Sequence, residues 1–218
     1  VRAASYAAHP DNPATLFFDP ITMKPNINNP GWVRALKEWI EIRKFGSPEM
    51  VNYGLGEVRG YYIGGEAALA LDWADIGIMA QDPIKSRIRG KIGYFLAPGS
   101  YEYWNVRTKK WDKFAQVVRA PYLGWSGWCV SITSTCKHPE AAFSFADFLD
   151  TKENALEGVT TPGTARNPYR FSQVDNPQAW KDSPIKFVNP EEYLKVNKMG
   201  YTHPNAQLDL RITKAGRY

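Results

Sequence analysis

The apolar residues that follow Asn29 recur with the spacing of an amphipathic α-helix. They occupy positions that share one helical face, and they are Trp32, Ala35, Leu36, Trp39 and Ile40. Asn29 is a favourable N-cap residue, and Pro30 suits the first position of a helix. Gly46 ends the pattern. The sequence therefore predicts a helix that begins at Pro30 and ends before Gly46.

Further helices and strands are predicted to alternate along the chain. The helices cover 55–64, 74–82, 137–149 and 190–198, and the strands cover 16–18, 67–71, 91–99, 128–133 and 206–212. Residues 100–119 are expected to form a hairpin around Asn105. Residues 158–184 are rich in Pro, Thr, Asn and Ser and are predicted to be a long connection. This alternation of strands and helices predicts an α/β fold.

Asp72 and Trp73 follow directly on the C-terminal end of the apolar run at 67–71, which is predicted to be a strand. In open α/β sheets, ligands bind beyond the carboxyl ends of the strands. The chain also carries eight tryptophans and twelve tyrosines. Part of this aromatic surplus belongs to the core, but flat rings also stack on the apolar C–H patches of sugars. These features favour a binding site for a small polar solute.

The distribution of charge argues against a nucleic-acid partner. Lys and Arg number 27 against 22 Asp and Glu, which gives a formal net charge of +5. The densest basic groups, at 85–91 and 109–113, are short and form no long stripe interleaved with aromatic residues. The sequence also contains no apolar run long enough to span a membrane and no leader-like N-terminal segment.

The histidines and cysteines form no recognisable metal or cofactor motif. His9, His138 and His203 are not spaced as metal ligands, and the spacing of Cys129 and Cys136 differs from the paired cysteines of a zinc site. The cysteines leave two interpretations open, a disulfide in an exported protein or a small apolar side chain on a strand. We expect no metal and no cofactor.

Four motifs occur in a fixed order along the chain. They are YIGGEAALALDW at 62–73, GKIGYFLAPG at 90–99, SGWCVSI at 126–132 and KHPEAAFSFADFL at 137–149. Together they resemble bacterial extracellular solute-binding proteins of the sugar-binding family that includes maltose-binding protein. The resemblance covers residues 30–165 well, is looser over 166–218 and is absent from 1–15.

The resemblance implies a type II periplasmic-binding-protein fold, with two lobes around a ligand cleft, that is incomplete in this chain. Residues 1–76 would belong to the second lobe, 77–89 to a crossover, 90–152 to the first lobe and 153–218 to the return into the second. Family members are considerably longer, so the chain is expected to be an internal segment of a larger protein. Ligand binding would close the lobes about a hinge.

The function implied by the resemblance is that of the substrate-binding component of an ABC importer. Such a component binds a sugar, an oligosaccharide or a polyol and delivers it to the membrane permease. We expect a monomer with no catalytic residue. Its expected location is periplasmic or extracellular, and the full-length protein would be either free or lipid-anchored.

The resemblance also nominates the residues that would line the cleft. They are Trp73, Asp72, Trp128, Gly127, Ser126, Trp125 and Arg166. Trp73 would stack on a sugar ring, or else cap the sheet inside the core. Asp72 would accept sugar hydroxyl groups, or cap the next helix. The segment 125–128 would bring the backbone close to the ligand through its glycine, and Arg166 would donate hydrogen bonds to the ligand or form an ion pair at the hinge.

A carbohydrate-active enzyme is the main alternative to a receptor. A glycosidase needs two carboxylates that flank the scissile bond, and Asp72, Asp75 and Glu66 are the candidates in this sequence. The two functions differ in outcome, because a receptor leaves its sugar unchanged. A nucleic-acid-binding module is a third interpretation, which the scattered basic residues do not favour.

Overall fold

The computed structural model describes residues 1–123 and 129–208. The α-helices are α1 (Ala4–Ala7), α2 (Pro30–Ile42), α3 (Leu55–Ile63), α4 (Asp75–Met79), α5 (Pro139–Leu149), α6 (Lys152–Thr160), α7 (Phe171–Val174), α8 (Pro177–Lys181) and α9 (Pro190–Tyr201). The strands are β1 (Ser100–Asn105), β2 (Lys110–Val118), β3 (Tyr122–Leu123) and β4 (Gln207–Leu208), and 3-10 turns lie at Pro13–Thr15, Arg43–Phe45, Pro48–Asn52 and Pro162–Thr164. The chain is therefore a mixed α/β protein, as predicted, with more helix than sheet.

The helices predicted from local signals are present. The side chain of Asn29 accepts hydrogen bonds from the backbone N–H groups of Gly31 and Trp32 at 2.9 and 3.1 Å, which caps α2 where the sequence predicted. Helices α3, α5 and α9 lie within a few residues of their predicted bounds, and α4 is shorter than predicted. The predicted connection at 158–184 instead contains the short helices α7 and α8.

Most of the predicted strands do not form. Residues 67–71, 91–99 and 129–133 belong to no strand, and of residues 16–18 only Phe18 makes an isolated bridge, to Pro25. Of 206–212, Gln207 and Leu208 pair in parallel with β3, Ala206 belongs to no strand, and 209–212 lie outside the described residues. An apolar run gives a strand only when a second strand accepts and donates its backbone hydrogen bonds. Residues 66–73 lie between α3 and α4, and we refer to them as the linking segment.

The hairpin predicted around Asn105 is confirmed. Strands β1 and β2 are antiparallel, with Tyr103 opposite Asp112 and an irregularity in the register near Ser100. The side-chain oxygen of Asn105 accepts hydrogen bonds from the N–H groups of Arg107 and Thr108 at 3.0 and 3.2 Å. Asn105 thereby fixes the turn between the two strands.

The described chain divides into two compact units, the first of which comprises 1–53, 95–123 and 199–208. Its core forms where α1 packs against α2 and β1. The buried residues of this core are Ala4, Ala7, Ala8, Leu16, Tyr103 and Ala120. Gly31 permits the close approach of α1 and α2, because a Cβ atom there would lie 2.8 Å from the carbonyl oxygen of Tyr6.

The second unit comprises 54–94 and 129–198. Trp180, Phe187 and Tyr193 form a buried aromatic cluster, with Trp180 and Tyr193 ring centres 5.5 Å apart. The hydroxyl of Tyr193 donates a hydrogen bond to the carbonyl oxygen of Ala74 at 3.0 Å. This bond ties α9 to the residue that precedes α4, directly after the linking segment.

The boundaries of these units do not coincide with the segments that the family resemblance implies. Residues 54–76, for example, belong to the second unit, whereas the resemblance groups 1–76 together. The assignment of segments to two lobes therefore stays a prediction. None of the helices within 1–123 and 129–208 has the length and hydrophobicity of a membrane span.

Candidate functional site

Arg59 is the charged residue around which the candidate site is built. It lies on α3, whose N-terminus is fixed by a hydrogen bond from the N–H of Gly54 to the carboxylate of Glu57 at 2.9 Å. Arg59 and Ile63 are four residues apart, and both are buried, so they define the inward side of α3. A helix that is otherwise largely exposed thus carries a guanidinium group into the interior of its unit.

The guanidinium group of Arg59 binds two carboxylates. Its Nε and Nη2 atoms donate to the two oxygens of Asp72 at 2.9 and 3.2 Å, and Nη2 also donates to Asp75 Oδ1 at 2.8 Å. All three side chains are only 5 to 6% exposed. Because the Asp72 contact uses two nitrogens and two oxygens, it fixes the orientation of both groups.

Burial and charge interactions both shift the pKa values of groups in this cluster. Burial acts to lower the pKa of Arg59, but hydrogen bonding and charge interaction with Asp72 and Asp75 raise it overall, so the guanidinium stays charged. Burial raises the pKa of Asp75, and the neighbouring charge of Asp72 acts in the same direction, whereas Arg59 opposes the shift. Burial therefore leaves Asp75 easier to protonate than an ordinary aspartate, in spite of its ion pair with Arg59.

Trp73 follows directly on this cluster. The backbone N–H of Trp73 donates to Asp72 Oδ1 at 2.6 Å, and the guanidinium carbon of Arg59 lies 5.8 Å from the centre of the Trp73 ring. That distance is within the range of a cation–π interaction. The side chain of Trp73 is half-buried. Arg59 and Asp72 thus fix a half-buried indole at the end of the linking segment.

The structure brings together some of the residues nominated from the sequence. Asp72, Trp73 and Asp75 lie within one cluster. Arg166 is exposed, with its Nη1 atom close to Gly158 of α6, and it follows the turn Pro162–Thr164, which contacts α4. The other nominated residues, Trp125, Ser126, Gly127 and Trp128, lie outside the described residues.

The remaining polar candidates have other surroundings. Glu66 is exposed and is not part of the Arg59 cluster. Cys129 and Cys136 are both free thiols, so no disulfide joins them. Among the described residues, no three His, Cys, Asp or Glu side chains are grouped so that they could hold a metal ion.

Arg59 is the member of the cluster that the sequence did not reveal. It stands 13 residues before Asp72 on the preceding helix, and a single arginine on a helix is ordinarily a solvated surface residue. The available signal was the pair Asp72 and Asp75 next to the start of α4, because two carboxylates need a cation wherever they are buried. That signal points to a partner without indicating which arginine or lysine supplies it.

Comparison with known proteins found no match to this chain among protein-family models, curated proteins or solved structures. The likeness to sugar-type solute-binding proteins therefore rests on the four sequence motifs alone. The first motif contains Asp72 and Trp73 of the cluster.

Proposed function

We propose that this chain belongs to the substrate-binding component of an ABC importer and binds a sugar, an oligosaccharide or a polyol. The observation that carries the proposal is Trp73, a half-buried indole held at the end of the linking segment by Asp72 and Arg59. A sugar-binding site needs an aromatic face of fixed orientation and a few polar groups near it. In the proposed protein, a type II periplasmic-binding fold supplies the cleft and a membrane permease receives the solute.

The same cluster favours a receptor over a glycosidase. A catalytic pair of carboxylates must reach the scissile bond from both sides. Asp72 and Asp75 are almost completely buried, and both are ion-paired with Arg59. We therefore assign them to the support of Trp73 and assign no catalytic residue. The proposed location remains the periplasm or the cell exterior.

The proposal is tested by titrating the 218-residue chain with a panel of sugars and polyols while the tryptophan fluorescence is recorded. We expect saturable quenching by one class of sugar, which Trp73→Ala abolishes. Trp39→Ala is the matched control, because Trp39 is 64% exposed on α2 in the other unit and should leave the affinity unchanged. Mass spectrometry of the sugar after incubation should show no product.

Two results would contradict the proposal. Quenching that persists unchanged in Trp73→Ala would show that the cleft lies elsewhere, and the absence of saturable binding across the panel would remove sugar binding altogether. Release of a shortened sugar would show that the protein is a carbohydrate-active enzyme and not a receptor. Trp73→Phe should retain part of the affinity, since a phenyl ring still stacks on a sugar face.

A further inference from the structure

Arg59, Asp72 and Asp75 form an ion-pair cluster that the stability of the unit does not by itself explain. Burying charged groups carries a large desolvation cost, and replacing a buried ion pair by apolar side chains is often neutral or stabilising. Here three charged side chains are 5 to 6% exposed. A cluster of this kind calls for a role in fixing one particular geometry.

The geometry that the cluster fixes is that of Trp73, which it contacts in two ways. Asp72 Oδ1 accepts the N–H of Trp73 at 2.6 Å, which restrains the backbone at that residue. The Arg59 guanidinium lies 5.8 Å from the ring centre, which restrains the indole itself. The backbone and the ring of Trp73 are therefore both tied to one ion pair.

Asp75 fixes the guanidinium from a second direction. Arg59 Nη2 lies 2.8 Å from Asp75 Oδ1 and 3.2 Å from Asp72 Oδ1, so that one nitrogen joins the two carboxylates. Asp75 begins α4, and Asp72 is the penultimate residue of the linking segment, directly before Trp73. The guanidinium thus links the residues on either side of Trp73 to helix α3.

We propose that Arg59, held in place by Asp72 and Asp75, is a positioning residue that sets the orientation of the Trp73 ring for ligand binding. This inference rests on the proposed function, in which Trp73 contacts the sugar. Arg59 itself need not touch the ligand. Its effect on affinity comes from the preorganised ring, which loses no rotational freedom when the sugar binds.

The first test measures the orientation of Trp73 without any ligand. The near-ultraviolet circular dichroism of Trp73 is isolated as the difference between a protein and its Trp73→Phe variant. Arg59→Lys keeps the positive charge but lacks the two-pronged contact with Asp72. We expect Arg59→Lys to reduce this Trp73 difference spectrum by at least about half. Asp72→Asn keeps an oxygen for the Trp73 N–H, so we expect a smaller reduction.

The second test measures sugar affinity in the same variants. A loosened ring should weaken binding of the best sugar of the panel by about tenfold in Arg59→Lys. Arg34→Lys is the matched control, because Arg34 lies 4.3 Å from the Tyr6 ring centre and pairs with Glu38 and Glu102 in the other unit. Arg34→Lys should leave both the affinity and the Trp73 spectrum unchanged.

The outcomes separate this inference from the proposed function. If the parent chain binds a sugar through Trp73, while Arg59→Lys retains the affinity and the Trp73 spectrum, the positioning role is wrong and the function stands. If no sugar binds, the proposed function fails and the positioning role for a ligand fails with it. A loss of affinity in Arg59→Lys without a change in the Trp73 spectrum would make Arg59 a direct ligand contact and would also overturn the inference.

Discussion

The hairpin β1–β2 and the linking segment 66–73 were both predicted to contain strands, and only the hairpin does. In the hairpin, Tyr103 is completely buried against the rings of His9 and Phe114. In the linking segment, Leu69 is 74% exposed and belongs to no strand. Two stretches that were both predicted to form strands have therefore reached different environments.

The difference lies in where each stretch finds its partner. The second strand of the hairpin begins at Lys110, only a short turn after Asn105, and Asn105 organises that turn. The partner of residues 67–71 would have to come from a distant part of the sequence. No described residue supplies that partner as a strand. A local turn makes pairing independent of the rest of the fold, whereas a parallel sheet depends on crossovers that bring its strands together.

The linking segment is nevertheless fixed at its C-terminal end. Asp72 is held by Arg59, and Tyr193 donates to the carbonyl oxygen of Ala74 at 3.0 Å. An ion pair and a side-chain hydrogen bond here take the place of a strand ladder. Trp73 therefore has a defined position, although no strand leads up to it.

Hydrogen exchange gives the largest expected contrast between the two regions. The ladder amides of β1 and β2 should open only in global or near-global unfolding and exchange about 10,000-fold more slowly than in an unstructured peptide. The amides of Leu69, Ala70 and Leu71, which have no hydrogen-bond acceptor among the described residues, should exchange within about tenfold of the unstructured rate. Equal protection of the two regions would show that the linking segment is paired as a strand.

Alanine substitution should separate the two regions in stability. Tyr103→Ala removes a fully buried ring and should lower the free energy of unfolding by about 3–5 kcal/mol. Leu69→Ala is the matched substitution in the linking segment, and it should change the same quantity by less than about 0.5 kcal/mol. Urea unfolding measures both. A cost for Leu69→Ala above about 2 kcal/mol would mean that Leu69 is buried.

The elements that the sequence predicted correctly are those whose signals are local. The Asn29 cap, helix α2 and the Asn105 turn each depend on residues close together in the chain. The strands predicted at 67–71 and 91–99 are wrong, because strand formation depends on a remote partner that the local apolar pattern does not reveal. Even in α2, Ala35 is buried while Leu36 is half exposed. The apolar pattern therefore predicted the helix correctly, but it did not predict which side chains pack in the core.

The candidate site was predicted in part for the same reason. Asp72 and Trp73 were identified because they follow an apolar run and belong to a motif. The strand that was to present them is absent, and Arg59 presents them instead. Arg59 was missed because its partner is set by tertiary packing, which carries no local signal. The role of Asp72 as a direct acceptor of sugar hydroxyls stays a prediction, although both its oxygens bind Arg59.

A smaller effect is expected from the hydroxyl group of Tyr103. This hydroxyl donates to the carbonyl oxygen of Val118 at 3.0 Å, at the end of the hairpin where the register is irregular. Tyr103→Phe should therefore cost about 1 kcal/mol in unfolding free energy. Burial raises the pKa of Tyr103 to about 12, so the variant should also lack one tyrosine that titrates near that pH. A variant as stable as the parent would show that water replaces the hydroxyl at Val118.

The smallest expected effect is the pH dependence of the contribution that Asp75 makes to the free energy of unfolding. Because burial raises the pKa of Asp75, the folded chain binds more protons than the unfolded chain between the ordinary aspartate value of about 4 and the raised value. Through this window the contribution of Asp75 to stability falls as the pH rises, and it is largest below the window.

The unfolding free energy of the parent minus that of Asp75→Asn isolates this contribution from the other titrating groups. We expect that difference to be more favourable to the parent at pH 4 than at pH 7. A difference that instead grows with pH would mean that Arg59 dominates and lowers the pKa of Asp75, so that the cluster would hold the end of the linking segment most firmly at neutral pH.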